Sequence, residues 1–142
     1  MYFSVPKDYA DVTGVRHCSI SENSGEDFYH KKLNGAFAEA YEKGETLELD
    51  LDGSLDGYSP SFIDEAIGNL IYDFGPDNVD AKLVIKSDAD SQWLTLYKTK
   101  TFPKWKKRYE EKDAPQKTEE HPAWYRLVKG KLELKVWVNV SK

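Results

Sequence analysis

A basic segment in the last third of the chain carries side chains that could contact a nucleic acid. Residues 98–112 combine Lys and Arg with neighbouring aromatic residues: Lys98, Lys100, Lys104, Lys106, Lys107, Arg108 and Lys112 with Tyr97, Phe102, Trp105 and Tyr109. Basic side chains contact the phosphates of a nucleic acid, and aromatic side chains stack on its bases. Trp105 and Tyr109 are also four residues apart, which is the spacing of a packing stripe on a helix. A solvated basic helix, or one paired with the acidic first half, is therefore favoured over a nucleic-acid site.

Two acidic residues at the end of an apolar strand form a second candidate. The run Asp50-Leu51-Asp52-Gly53-Ser54 resembles motif one of the haloacid-dehalogenase-like phosphatases. The resemblance implies a Mg²⁺-dependent phosphohydrolase in which Asp50 is the nucleophile and Asp52 the general acid or base. Alternation of Asp50 and Asp52 with leucines is equally typical of a solvated strand face, which is the favoured interpretation.

The segment 57–70 has a more specific pattern. It reads G-Y-S-P-S-F-I-D-E-A-I-G-N-L and follows an acidic–apolar strand. This pattern resembles the signature of a STAS-like family labelled a domain of unknown function, and residues 23–28 resemble the upstream part of that signature. The resemblance covers about residues 15–110. It implies a STAS-like fold and a non-enzymatic regulatory module that acts by binding a partner protein.

The resemblance also implies a partner and a switch. In STAS domains of anti-sigma-factor antagonists, a histidine-kinase-like ATPase phosphorylates a serine at the start of the equivalent helix. Ser59 and Ser61 fall on that position, where a phosphate would meet free N–H groups and the positive end of the helix dipole. The implied partner-binding or phospho-acceptor residues are Asp56, Tyr58, Ser59, Ser61, Asp64 and Glu65. The residues alone leave open that Ser59 or Ser61 only caps the helix.

Thiol and imidazole side chains show no spacing typical of a metal or catalytic site. His17, His30 and His121 are isolated, and Cys18 is the single cysteine, which excludes an internal disulfide. Arg16 and His17 could lower the pKa of the Cys18 thiol. No third group completes a nucleophile arrangement, so we predict a buried or idle thiol, with no catalytic residue, cofactor or metal.

Secondary-structure signals before and within the STAS-like pattern predict alternating helices and strands. Apolar residues at three- and four-residue spacing predict a helix over 25–43 that Ser24 caps. Apolar–acidic alternation predicts a strand over 46–52. Pro60 suits the first turn of a helix that runs to about residue 73. A strand is predicted over 79–86, which would complete a βαβ unit.

The remaining signals predict mainly helix and then a hairpin. Helices are expected over 91–100 and 103–112, followed by a polar linker over 113–122. Two β-like runs, 123–128 and 132–140, flank the turn signal Lys-Gly-Lys and predict a C-terminal β-hairpin. The fold class predicted from this order is α/β, a STAS-like mixed sheet with helices packed on it plus the hairpin at about 123–140.

Length and composition favour one domain of 142 residues with a formal net charge of −5. Residues 1–90 contain 19 Asp or Glu and 7 Lys or Arg, whereas residues 91–142 contain 6 and 13. The net charge of the whole chain therefore conceals an acidic first part and a basic second part, and it does not exclude an anionic partner. The missing recognition motif is what makes nucleic acid a disfavoured partner. The absence of a membrane span and of a secretory signal pattern predicts a cytoplasmic protein.

Overall fold

A three-stranded parallel sheet forms the centre of the computed structural model, which describes residues 1–140. Strands β1 (Tyr2–Ser4), β2 (Leu47–Asp50) and β3 (Leu83–Lys86) lie in the order β1-β2-β3, so that β2 is the middle strand. The register places Leu49 between Phe3 and Ile85. Strand β1 was not predicted, because three residues are too short to show an alternating pattern.

Helix α1 (Val5–Asp8) leads to a loop, and helix α2 then covers the predicted span in three consecutive segments. These segments are Gly25–Phe28, Tyr29–Leu33 and Asn34–Glu42, of which the middle one is a π turn. Ser24 caps the helix as predicted, because its hydroxyl accepts the Asp27 N–H at 3.0 Å. The predicted helix is therefore confirmed, apart from the π turn.

Helix α3 (Pro60–Phe74) confirms the second predicted helix. The next element differs from the prediction, since Pro76–Lys82 forms a helix, α4, and only Leu83–Lys86 is a strand. The strand predicted from residue 79 was wrong over its first half. Pro76 occupies the first turn of α4, where proline is favourable, and Val79 is buried.

Helix α5 is one continuous helix rather than the two predicted ones. It consists of Gln92–Leu96, a π turn at Tyr97–Thr101, and Phe102–Glu111. Pro103 was expected to begin a new helix. It instead lies two residues after the end of the π turn at Thr101, where the widened hydrogen-bond pattern accommodates a residue without an N–H.

The C-terminal hairpin is confirmed as an antiparallel pair of strands, β4 (Trp124–Val128) and β5 (Lys131–Lys135). Lys129 and Gly130 both have positive φ, +52° and +80°, as a tight hairpin turn requires. The second strand is shorter than predicted, and the hairpin forms a sheet of its own. The preceding segment, 113–122, has no regular helix or strand, yet it packs against the domain instead of serving as a free linker.

Helix α3 is the most buried element, with twelve of its fifteen residues buried. Its apolar residues share one core with α2, the sheet and Trp124 of the hairpin. It also carries four buried polar side chains, Asp64, Glu65, Asn69 and Asp73. These arrangements confirm the α/β fold class, with only parallel pairs in the main sheet. None of the helices within residues 1–140 has the length and apolar character needed to cross a membrane.

Candidate functional site

The predicted phospho-acceptor serines stand together at the start of α3. Ser59 has extended backbone angles and is the cap, since its hydroxyl accepts the Ser61 N–H at 3.3 Å. The two hydroxyl oxygens are 2.8 Å apart, and both residues are partly exposed. A fifteen-residue helix with an accessible serine at its first turn can accommodate a phosphate through its dipole.

The loop before α3 has one exposed acidic residue and one aromatic anchor. Asp56 lies in solvent, whereas Tyr58 is half-buried between Phe62 and Trp93, with ring centroids 5.8 Å from each. The Tyr58 hydroxyl donates to the Leu51 carbonyl at 2.7 Å. Burial, followed by the nearby carboxylates, raises the pKa of Tyr58 well above its ordinary value. Tyr58 therefore fixes the loop in place.

Asp64 lies inside the protein rather than on the predicted partner surface. It accepts hydrogen bonds from Arg16 Nη1 at 2.8 Å, Lys104 Nζ at 2.6 Å, Thr101 Oγ1 at 3.0 Å and Trp105 Nε1 at 3.2 Å. Burial alone would raise the pKa of Asp64, but the bonds from Lys104 and Arg16 outweigh it and lower that pKa.

Glu65 is buried beside Asp64 in the same network. Its carboxylate pairs with Arg16 at 3.0 Å and accepts the Asn69 amide at 2.7 Å. The expectation that a partner touches Asp64 or Glu65 is corrected, because both carboxylates face buried donors of the protein itself. Their negative charges are also neutralised there, so they oppose a phosphate at Ser59 less than the sequence suggests.

The acidic pair at the end of β2 does not form a solvated strand face, contrary to expectation. Asp50 is buried, accepts a hydrogen bond from the Tyr2 hydroxyl and accepts the Asp52 N–H at 2.9 Å. Asp52 accepts Lys86 Nζ at 3.0 Å and the N–H groups of Asp88 and Ala89 at 3.0 and 2.9 Å. The pair fastens the loop after β3 to the end of β2.

The basic segment on α5 buries two of its four aromatic residues, leaves Phe102 partly exposed and exposes only Tyr109. Trp105 is fully buried and Tyr97 is buried, while the lysines of the segment are exposed. Arg108 lies over the Trp105 ring, 4.4 Å from its centroid. The favoured interpretation of a solvated basic helix fits this geometry better than base stacking does, because stacking requires exposed rings.

Residues that the sequence left without a role meet around the carboxylate of Glu26. His121 Nε2 lies 2.7 Å from Glu26 Oε2, and His17 Nδ1 lies 3.3 Å from Glu26 Oε1. The N–H of Thr118, the hydroxyl of Thr118 and the N–H of Cys18 also donate to this carboxylate, at 2.9, 2.6 and 3.1 Å. These contacts lower the pKa of Glu26 far below its ordinary value, although burial, the largest influence, opposes the change.

Cys18 and His30 complete the surroundings of Glu26. Cys18 Sγ is 3.3 Å from the Ser24 hydroxyl, and burial together with nearby carboxylates raises the pKa of the thiol to about 12. The suggestion that Arg16 and His17 lower this pKa is therefore wrong. His30 stacks on His121 with ring centroids 3.8 Å apart and an angle of 8°. Burial is the main reason that the pKa of His30 falls to about 2.

Among residues 1–140, two groups bring three potential metal-ligand atoms within 4.8 Å of one another. One consists of Cys18, Glu26 and His121, and the other of Cys18, Asp27 and Glu119. Sequence spacing could not reveal the first group, because 95 residues separate Glu26 from His121. The two residues meet only because the irregular segment 113–122 folds back onto the start of α2.

Comparison with known proteins gives one match. Residues 24–93 match the family model described as a STAS-like domain of unknown function (DUF4325). The match starts at the Ser24 cap and ends at Trp93, so it contains β2, β3 and the start of α3, and it is shorter than the predicted span of 15–110. No curated protein and no solved structure matches the chain. Over this segment the chain is therefore similar to the STAS-like family.

Proposed function

We propose that this STAS-like chain is a non-enzymatic regulatory module that acts by contact with a partner protein. The contact surface consists of the exposed loop 53–57 together with Ser59 and Ser61 at the start of α3. A histidine-kinase-like ATPase is the proposed partner, and phosphorylation of Ser59 or Ser61 is the proposed switch. Asp56 belongs to this surface, whereas Tyr58, Asp64 and Glu65 support it from inside.

The observation that carries the proposal is the pair of hydroxyls, 2.8 Å apart, at the first turn of the longest unbroken α-helical segment within residues 1–140. This turn follows the carboxyl end of β2, the middle strand, which is where sites in α/β folds usually lie. Both serine residues are partly exposed, and the loop before them is exposed at Leu55, Asp56 and Gly57. An incoming protein can therefore reach the serines and the loop together.

Electrostatics around the turn are compatible with a phosphate. A phosphoserine adds a charge of about −1.5 to −2, which is stabilised at a helix N-terminus and repelled by unpaired carboxylates. Asp64 and Glu65, the acidic residues nearest along α3, are paired with Arg16. The added charge would change the surface at loop 53–57 without opposing a free buried carboxylate, so it could control partner binding.

The test uses the full chain with a purified cognate histidine-kinase-like ATPase. Incubation with ATP followed by peptide mass spectrometry should place the phosphate on Ser59 or Ser61. Ser59→Ala and Ser61→Ala, singly and combined, should remove it. Ser91→Ala is the matched control, because Ser91 also precedes a helix but its side chain caps nothing.

Binding to the ATPase should weaken by about tenfold or more once the acceptor serine is phosphorylated, since the contact surface gains charge. Asp56→Lys should weaken binding of the unmodified chain, whereas Glu111→Lys, an exposed change at the far end of α5, should not. Modification only at other residues, or equal binding by all variants, would contradict the proposal.

A further inference from the structure

The carboxylate of Glu26 is the centre of a second, unrelated cluster. The side chain of Glu26 is fully buried and that of His121 is 6% exposed. Cys18 Sγ, a carboxylate oxygen of Glu26 and a ring nitrogen of His121 lie within 4.8 Å of one another. His17 Nδ1 is 3.3 Å from the same carboxylate. Thiolate, imidazole and carboxylate groups are the ligand types that proteins use for zinc.

We infer that Cys18, Glu26 and His121 form a binding site for one divalent transition-metal ion of the zinc class, with the fourth position taken by water. Zinc bonds of about 2.0–2.3 Å to nitrogen, oxygen and sulfur place tetrahedral ligand atoms roughly 3–4 Å apart. The ligand atoms therefore need to move together only slightly. One thiolate, one carboxylate and one neutral imidazole also balance the charge of a divalent ion in this buried position.

His30 provides a second, independent observation at the same place. Its two ring nitrogens are buried and have no hydrogen-bond partner among the described residues. A buried polar atom without a partner costs about 1–3 kcal/mol and calls for an explanation. The His30 ring is stacked on His121, which fixes the direction in which His121 points. His30 thus holds His121 in the orientation that places its Nε2 beside Glu26.

An acidic cleft leads to the cluster from solvent. The cleft has a volume of about 360 Å³, and Cys18, Glu22, Asp27 and Glu119 contribute to its lining. Carboxylates at the mouth of a cleft raise the local concentration of cations. Cys18 lies both in this lining and in the Glu26 cluster, so the thiol connects the cleft to the cluster.

Metal binding replaces a thiol proton and a hydrogen bond with bonds to the metal, and it changes no oxidation state. The S–H bond of Cys18 breaks, a bond from Sγ to the metal forms, and the proton leaves to the buffer. The metal replaces the contact between Glu26 and His121, and His121 keeps one ring proton on its other nitrogen. The donors from Thr118 remain on Glu26 and hold the carboxylate in orientation, as hydrogen bonds around metal ligands commonly do.

The alternative group of Cys18, Asp27 and Glu119 is a poorer site. It offers no ring nitrogen, and Glu119 is exposed. Asp27 is already engaged, because it accepts the Tyr9 hydroxyl at 2.5 Å and pairs with Lys31 at 3.1 Å. Since both groups share Cys18, variants of the other members separate them.

The experiment titrates the reduced, chelator-treated full chain with Co²⁺ and then with Zn²⁺. We expect one Co²⁺ per chain, a sulfur-to-cobalt charge-transfer band in the near ultraviolet, and loss of that band when Zn²⁺ displaces cobalt. Cys18→Ser, which is close to isosteric, should abolish the band. His121→Gln should weaken Co²⁺ binding by about tenfold or more. Glu119→Gln should keep the charge-transfer band, because Glu119 is not a ligand in this site.

Two outcomes of this titration would overturn the inference. Absence of the band in wild-type protein at micromolar Co²⁺, with circular dichroism showing folded protein, would overturn it. Loss of the band in Glu119→Gln but not in His121→Gln would assign the ion to the alternative group and also overturn it. If His121→Gln does not fold, Cys18→Ser still decides, because binding that survives in Cys18→Ser contradicts the site.

Discussion

The indole ring of Trp105 lies directly against the backbone of Gly68, where α5 packs on α3. A β-carbon at residue 68 would fall well under 3.0 Å from three atoms of that ring. Trp105 is fully buried, and its ring N–H donates to Asp64 at 3.2 Å. The glycine is therefore what allows the tryptophan to reach the buried carboxylate, and the two residues set the distance between the helices.

We predict that Gly68→Ala destabilises the protein by about 1–3 kcal/mol, because the added methyl group overpacks a site in which the indole cannot move. Urea unfolding followed by fluorescence measures this change. Gly35→Ala is the matched control, since Gly35 is an exposed helical glycine with nothing within 4 Å of an added β-carbon. It should stabilise the protein by about 0.5–1 kcal/mol. Equal effects of the two changes would contradict the close packing.

Asp64→Asn should lower the free energy of unfolding by about 2 kcal/mol, because it leaves Arg16 and Lys104 facing a neutral amide in a largely buried network. Asp113→Asn is the control, since Asp113 pairs with Arg108 at 3.5 Å on the surface. Its effect should stay within about 0.5 kcal/mol. Chemical denaturation at neutral pH compares the two, and a similar loss in both variants would contradict a special role of the buried network.

The same carboxylate predicts a pH dependence. The folded-state pKa of Asp64 lies below its ordinary value of 3.8, so its stabilising contribution is complete above that value and is lost as the pH falls through the folded pKa. The difference in unfolding free energy between wild type and Asp64→Asn should therefore be constant near neutral pH and narrower at about pH 3. A difference that widens on acidification would mean that the pKa is raised instead.

Part of this fold could be predicted from local patterns. Helices α2 and α3 and the hairpin have long apolar periodicity or a clear turn signal, and all three were predicted correctly. Strand β1 and helix α4 were not predicted. Both are short, and they are stabilised by contacts with other parts of the chain and not by a pattern of their own. Val79, for example, was predicted to begin a strand, but it lies in helix α4, whose first turn contains Pro76.

The candidate sites also contain features that a local segment predicts and features that depend on distant residues. Ser59 could be placed at a helix start from its own segment, because a serine followed by proline is a local signal. The burial of Asp64 could not be predicted from its own segment, since its partners Arg16 and Lys104 are 48 and 40 residues away in the sequence. The contact between Glu26 and His121 depends on the path of a segment without periodicity. Local chemistry was thus predictable, and long-range pairing was not.

Ser59→Ala should destabilise the protein by about 1 kcal/mol, because it removes the hydroxyl that accepts the Ser61 N–H at the start of α3. Ser61→Ala should cost less, since the side chain of Ser61 contacts only the Ser59 hydroxyl there. Thermal unfolding of both variants checks this order. A larger loss in Ser61→Ala would show that Ser61, not Ser59, is the cap.

Asp52→Ala should loosen the loop 87–90 while leaving the core intact, because the carboxylate of Asp52 holds the N–H groups of Asp88 and Ala89. Hydrogen exchange at these two amides should accelerate by about tenfold, and stability should fall by about 1–2 kcal/mol. Asp56→Ala, in the neighbouring exposed loop, is the control and should change neither. Unchanged exchange in Asp52→Ala would contradict the fastening role of this carboxylate.

The contacts of Asp50 also predict the result of a phosphatase assay. Its two carboxylate oxygens accept the Tyr2 hydroxyl and the Asp52 N–H, and the residue is buried, so a phosphate ester has no open approach to it. Wild-type protein should therefore hydrolyse p-nitrophenyl phosphate with Mg²⁺ no faster than Asp50→Asn does. Tyr2→Phe, which frees one oxygen, provides a sharper comparison and should also remain inactive. Mg²⁺-dependent turnover that Asp50→Asn abolishes would instead support the phosphohydrolase hypothesis.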